Sequence, residues 1–196
     1  MADKAIRIVT PEFRLSFPTL FKGRAKQSDP TKVQFSISML FPKATDLKEL
    51  KTLCRDAMVS KFGSDPQKWP KGWRNPIQDG DEKTEWGGYE GNVYVRAATE
   101  IKPPVFDQDC NPVPDLEQQK VYAGMYCKAQ VHAYPYDKAG NQGVAIGLDA
   151  VQLVRDGEPF AGSIDAEKTF GKVAGGASSK DDPKNYEKPA ADPFNT

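Results

Sequence analysis

Six side chains spaced two apart, Tyr126, Lys128, Gln130, His132, Tyr134 and Tyr136, would share one face of a strand running from Tyr122 to Tyr136, because successive side chains on a strand point to opposite sides. The other face would carry Cys127, Ala129, Val131 and Ala133, an apolar set suited to a core. Rings interspersed with a cation and an amide are what a sheet needs to stack unpaired bases and hold the phosphates between them. A Tyr-rich strand is also ordinary where a loop covers a sheet and leaves the hydroxyls wet. Three further features favour the nucleic-acid reading: a basic N-terminal half, a Trp-rich loop, and a polar tail that ends near a lone Phe.

The formal net charge is zero, yet residues 1–80 carry 15 Lys+Arg against 8 Asp+Glu, while residues 81–160 carry 7 against 13. Arg14, Lys22, Arg24, Lys26 and Lys32 gather around the first connection, which reads as a loop beside Phe17 and Phe21. Such a cluster can follow a phosphate backbone, or it can be a solvated face with counter-charges folded back on it. Between Ser64 and Asn92 periodicity is lost, and Trp69, Trp73 and Trp86 sit among Lys68, Lys71, Arg74 and Lys83. A loop of this length inside a compact domain is usually either functional or disordered, and three Trp residues would be wasted in a disordered one. One ring would plug the open end of a barrel; Trp73, with Lys71 and Arg74 beside it, is read as a stacking ring. Tyr94 and Arg96 join this set from a strand over Val93–Glu100, whose opposite face holds Val93, Val95 and Ala97.

Other chemistries fit less well. There is no Gly-rich phosphate loop and no nucleophile elbow, and a single His leaves most general-base and metallohydrolase schemes without their usual agent. Asp107, Asp109, Asp115 and Glu117, followed by Lys120, could hold a divalent ion for phosphodiester cleavage, but the acids and the Lys are too close in sequence for a restriction-type nuclease pattern. A metal-dependent nuclease is therefore the alternative, together with a virion or assembly protein that has no nucleic-acid chemistry. Cys54, Cys110 and Cys127 fall in a helix, a loop and a strand, which is no disulfide framework, and with only His132 to join them no metal site or cofactor is expected. No run approaches the roughly 20 apolar residues of a membrane span, and the N-terminus lacks a signal-peptide layout, so the chain is expected in the cytosol.

These residues need strands to carry them. Ile6–Phe17 alternates with Phe13, Leu15 and Phe17 on one face and with Pro11 at an edge or bulge. Val33–Phe41 points Val33, Phe35, Ile37, Met39 and Phe41 one way, as a core strand does. Thr45 or Asp46 caps a helix reaching Phe62, with Leu47, Leu50, Leu53, Cys54, Ala57 and Met58 at helical spacing and Gly63 at its end. A Gly140-Asn141 turn joins the Tyr-rich strand to a last strand over Gly143–Val154. That makes five principal strands and one helix in a single domain.

Taken in order, Phe13-Arg14-Leu15-Ser16-Phe17-Pro18, Leu40-Phe41-Pro42-Lys43, Lys61-Phe62-Gly63, Asp79-Gly80-Asp81, Val121-Tyr122-Ala123-Gly124-Met125-Tyr126 and Gly143-Val144-Ala145-Ile146-Gly147-Leu148 resemble a family of phage-encoded single-stranded DNA-binding proteins. The resemblance covers roughly residues 5–170 and rests on the ordered set. It implies a mainly β fold, an OB-fold-like five-stranded barrel with an inserted helix, that coats single-stranded DNA without sequence preference in phage replication, recombination or repair. It implies a binding protein and not an enzyme. Residues 1–170 would form this domain, and residues 171–196, with four acids against four lysines, would be a disordered polar tail. Its Asp192-Pro193-Phe194 is similar to the acidic, aromatic ends with which replicative single-stranded DNA-binding proteins dock on replication or recombination partners.

Overall fold

The computed structural model describes residues 5–26, 29–138 and 140–160. Eight strands and one α-helix follow in chain order: β1 (Arg7–Val9), β2 (Phe13–Lys26), β3 (Asp29–Pro42), α1 (Lys48–Phe62), β4 (Ile77–Asp79), β5 (Asn92–Thr99), β6 (Val105–Phe106), β7 (Tyr126–Lys138) and β8 (Asn141–Arg155). Five of them close a ring. β7 pairs with β2, β2 with β3, β3 with β5, β5 with β8, and β8 with β7. All of these pairings are antiparallel except β5 with β8. The mainly β, five-stranded barrel expected from the sequence is the observed architecture, and closure leaves few free edges.

The barrel interior comes from the alternation of its strands. Phe13 and Leu15, Ile37, Met39 and Phe41, Val95 and Ala97, Cys127, Ala129 and Val131, and Val144, Ile146 and Leu148 are all buried. α1 has no Gly or Pro between Lys48 and Phe62 and packs Leu50, Leu53, Cys54, Ala57 and Met58 against this core. Asp46 accepts the Lys48 N–H at 2.9 Å at its start. Gly63, with φ 85, stops it, since a left-handed residue ends the hydrogen-bond ladder cheaply only without a Cβ. Burial holds the Cys54 thiol up at about 11 and the Cys127 thiol up at about 12, so neither ionises at neutral pH. No helix among the described residues is long and apolar enough to cross a membrane.

Four expectations need correction. The Ile6–Phe17 strand is broken at Pro11, where buried Thr10 ties the chain to β7 by exchanging two hydrogen bonds with Ala129. Residues 22–26 are not a loop: β2 continues to Lys26 and pairs with β3 through Arg24↔Gln34 and Ala25↔Val33, so the two strands project as a long hairpin. Val33, 48% exposed, lies on that projecting part, beyond the core that takes Ile37, Met39 and Phe41. Strict alternation would set Phe17 beside Phe13 and Leu15 inside the barrel, but it is 49% exposed. Its backbone is left-handed, with φ 45, at a register shift between Ser16 and Thr19 that turns the ring outward.

The turn between β7 and β8 stands where Gly140-Asn141 indicated, with Lys138 opposite Asn141. The Tyr-rich strand begins at Tyr126, four residues later than expected. The region from Gly171 onward, including Asp192 and Phe194, lies outside the described residues.

Candidate nucleic-acid interface

The outer face of β3 and β5 is flanked by the β2–β3 hairpin on one side and the β7–β8 hairpin on the other. Tyr94 and Arg96 point outward from β5, because their neighbours Val95 and Ala97 are buried inside. Cross-strand pairing sets Ser38 beside Arg96 and Ser36 beside Ala98, so the floor between the hairpins is built of small side chains. On the other side of β5 the parallel pair Ala98↔Gly147 continues this row to β8, and Gly147 in turn lies opposite His132. A Cβ on Gly147 would sit 2.2 Å from His132 Cε1, so only glycine lets the imidazole lie flat on β8.

Cations gather around this floor. Arg24 pairs across the hairpin with Gln34, whose Oε1 accepts from Arg96 Nη2 at 3.4 Å. Among the described residues neither guanidinium has an ion-pair partner, which leaves both charges free for a phosphate. Lys26 differs. Its ammonium donates to Glu100 at 2.7 Å, and Lys32 stands 3.6 Å from the same carboxylate. That hydrogen bond raises the Lys26 pKa, with the Tyr134 phenol close enough to add to the effect, and lowers that of Glu100.

From β7, Tyr134 is 44% exposed opposite Ala145, and its ring lies 6.0 Å from the His132 ring. His132 Nδ1 and Asp149 Oδ2 are 2.8 Å apart, and Asp149 also faces Arg7 at 3.4 Å, so the imidazole is held in place. Tyr136 is half-buried opposite Gly143. Arg74 bridges to Gly143 through its backbone, donating its N–H to Gln142 O at 2.8 Å, which brings it beside the start of β8.

The other residues singled out from the sequence lie elsewhere. Lys128 is exposed near the start of β7 opposite Gln152, about 20 Å along the strand from Tyr134 at some 3.3 Å per residue. Lys22 lines a shallow cleft with Gln118 and Gln119. Trp73 meets Trp69 edge to face at 5.9 Å, and both rings pack against the core beside α1, where Cys54 and Met58 line the same groove. Trp69 donates its indole N–H to Gly63 O at 2.9 Å, closing the end of the helix. Arg14 donates to the carbonyls of Gly124 and Glu158 and lies between the rings of Tyr126 and Phe160.

The acidic residues are also occupied. Asp107 accepts the N–H groups of Asp109 at 2.9 Å and Asn111 at 2.8 Å, which lowers its pKa and closes a tight turn. Asp115 pairs with Lys102, and Glu117 with Lys120 at 2.5 Å. Among the described residues no group of three or more His, Cys, Asp or Glu side chains could hold a metal ion.

Two exposed rings on this side of the barrel are not among the residues assigned to DNA from the sequence, which places Trp86 in the Trp-rich loop and Phe17 on an inward face. Phe17 and Trp86 are 49% and 37% exposed and meet edge to face at 5.3 Å. For Phe17 the only sequence signal is the following Pro18, which disfavours right-handed helical backbone at the residue before it.

Comparison with known proteins gives the family and the fold. The sequence model of the family described as "Enterobacter phage Enc34, ssDNA-binding protein" matches residues 6–183. Protein p50 of Acyrthosiphon pisum secondary endosymbiont phage 1 is 34% identical over 165 residues, which span 80% of this chain and 88% of that protein. The fold is shared with the single-stranded DNA-binding protein from bacteriophage Enc34 in complex with ssDNA, at a TM-score of 0.65 and 20% identity over 79% of this chain and 89% of that one. It is shared as well with gp2.5, a single-stranded DNA-binding protein encoded by bacteriophage T7, at a TM-score of 0.56 and 14% identity over 84% of this chain and 99% of that one. A family match running from the first barrel strand past the last, on a closed five-stranded barrel of the same fold, shows that this chain belongs to the Enterobacter phage Enc34 ssDNA-binding protein family.

Proposed function

We propose that this protein binds single-stranded DNA without sequence preference across the outer face of β3 and β5, between the β2–β3 and β7–β8 hairpins. The observation that carries the reading is the placement of two guanidiniums, Arg24 and Arg96, without carboxylate partners among the described residues, around Gln34 on the face that also presents Tyr94. Arginines follow phosphates, aromatic rings stack on any base, and a floor of Ser36, Ser38 and Ala98 offers no edge that reads one base over another. Tyr134, His132, Tyr136 and Arg74 line the β7–β8 side of the path, and Lys26 joins it once released from Glu100. Lys128, Lys22, Trp73 and Arg14 stand outside it.

A protein of this kind coats and protects single strands exposed in phage replication, recombination or repair, in the cytosol of the host. Asp192 and Phe194 are assigned, on their acidic and aromatic character, to contact with a replication or recombination protein. No catalytic step is assigned to any residue.

The test is a titration of fluorescently labelled oligothymidylate with the protein at two salt concentrations. Binding is expected to weaken steeply with salt and to be equally tight for mixed sequences of the same length. Y134A should weaken it by about 1–3 kcal/mol, the value of one stacked base. Salt-independent binding, or none, would remove the reading.

A further inference from the structure

Phe17 and Trp86 lie outside the path just described, and the structure spends stability to keep them where they are. A phenylalanine in the left-handed region is disfavoured, and an inward ring would need only that β2 keep the alternation that buries Phe13 and Leu15. Behind the pair, Tyr89 is fully buried 5.1 Å from Trp86, yet its hydroxyl finds no hydrogen-bond partner among the described residues. A strained backbone, two wet aromatic rings and an unpaired buried hydroxyl in one cluster mark a site built for something other than stability.

The cluster is continuous with the proposed DNA path. Tyr89 lies 5.2 Å from Tyr94, which stands on the same face of β5 as Arg96. The rings Tyr94, Tyr89, Trp86 and Phe17 therefore form an unbroken aromatic line leading away from the guanidiniums. Lys83 holds its ammonium 5.2 Å from the centroid of the Trp86 ring, beside the exposed pair.

Resting on the single-stranded DNA-binding reading, we propose that Phe17 and Trp86 form a second stacking subsite, which takes a base of the same strand after it leaves Tyr94 and Arg96, with Lys83 meeting the adjoining phosphate. Continuity with the interface and the cation beside the rings favour a nucleotide over an apolar peptide. The subsite lengthens the stretch of DNA covered by one molecule.

The test compares the parent protein with W86F and F17N in titrations with oligothymidylate, following both intrinsic tryptophan fluorescence and the anisotropy of a labelled strand. Asn accepts left-handed backbone, so F17N removes the ring without asking β2 to change course. The parent should be quenched on binding, most of that quench should disappear in W86F, and F17N should bind about 5- to 150-fold more weakly. A quench that survives in W86F, or an F17N affinity equal to the parent's, overturns the subsite while salt-sensitive binding by the parent keeps the main reading standing. If the parent itself does not bind, the main reading falls and the subsite with it. Should F17N fail to fold, the W86F comparison decides alone.

Discussion

The guanidinium of Arg14 sits 4.3 Å from the centroid of the Phe160 ring, with the Tyr126 ring on another side at 5.5 Å. It also donates to Gly124 O at 3.1 Å and to Glu158 O, so it joins β2 to the segment that follows β8. Hydrogen bonds from a charged donor are worth roughly 1.5–3 kcal/mol together with about 0.5–1 kcal/mol for each partly exposed cation–π interaction. R14A should therefore lower stability by about 2.5–5 kcal/mol in chemical denaturation, while the salt dependence of DNA binding stays as in the parent. A flattened salt slope with unchanged stability would return Arg14 to the DNA path.

Arg24 and Arg96 should behave in the opposite way. Both are exposed and free of carboxylate partners among the described residues, so truncating either removes little from the folded state. Removing a cation that neutralises one phosphate of a single strand should flatten the plot of log affinity against log salt by about 0.7. R24A and R96A should each show that change with a melting temperature close to the parent's. A slope equal to the parent's for either variant would place that residue outside the path.

How much of this is legible in the sequence follows from how local each signal is. The β7–β8 hairpin is readable because alternation and a Gly-Asn turn sit within about 30 consecutive residues. Tyr94, Arg96 and Tyr134 are placed on the outer face by parity alone, and parity holds wherever the partner strand keeps register. It fails at Phe17, where a bulge flips one ring and the residue is not the glycine that usually announces such a backbone. The hairpin extension through Lys22–Lys26 reads as a loop because its outer half buries almost nothing. Only pairing with β3 makes it a strand. Trp73 and Trp86 cannot be sorted by composition, since what separates them is whether α1 or solvent lies alongside, and that is a tertiary fact.

Glu100 offers a separate test of the electrostatics. It holds Lys26 at 2.7 Å and Lys32 at 3.6 Å, so it occupies two cations on the hairpin that flanks the proposed path and places a negative charge beside it. E100Q should tighten DNA binding and steepen the salt slope by up to about 0.7 for each lysine freed. Weaker binding by E100Q would mean that the ion pair is needed to hold the hairpin in a receptive position.

The loop that presents Trp86 is fastened by Lys43, whose ammonium lies 2.8 Å from Asp79 and 2.5 Å from Asp81. Asp81 also accepts the Gly91 N–H at 2.7 Å, and so closes the segment from Asp81 to Gly91 on itself. The lysine holds both carboxyls below their ordinary value of 3.8. Depressed carboxyl pKa values stabilise the fold above the unfolded value, and that contribution disappears as pH falls through the lower folded values. The Lys43 pKa, raised by the same carboxylates, confines the other limit to alkaline pH above its ordinary 10.5. Between these limits the clamp is closed, and the Trp86 environment should be constant from mildly acidic to mildly alkaline solution. Below about pH 3.8 the loop should loosen, and the emission component absent from W86F should shift to the red while the rest of the barrel signal holds. K43M should show the loosened spectrum already at neutral pH. If K43M at neutral pH matches the parent, packing of Trp86 on Tyr89 and Phe17 holds the loop without the ion pairs.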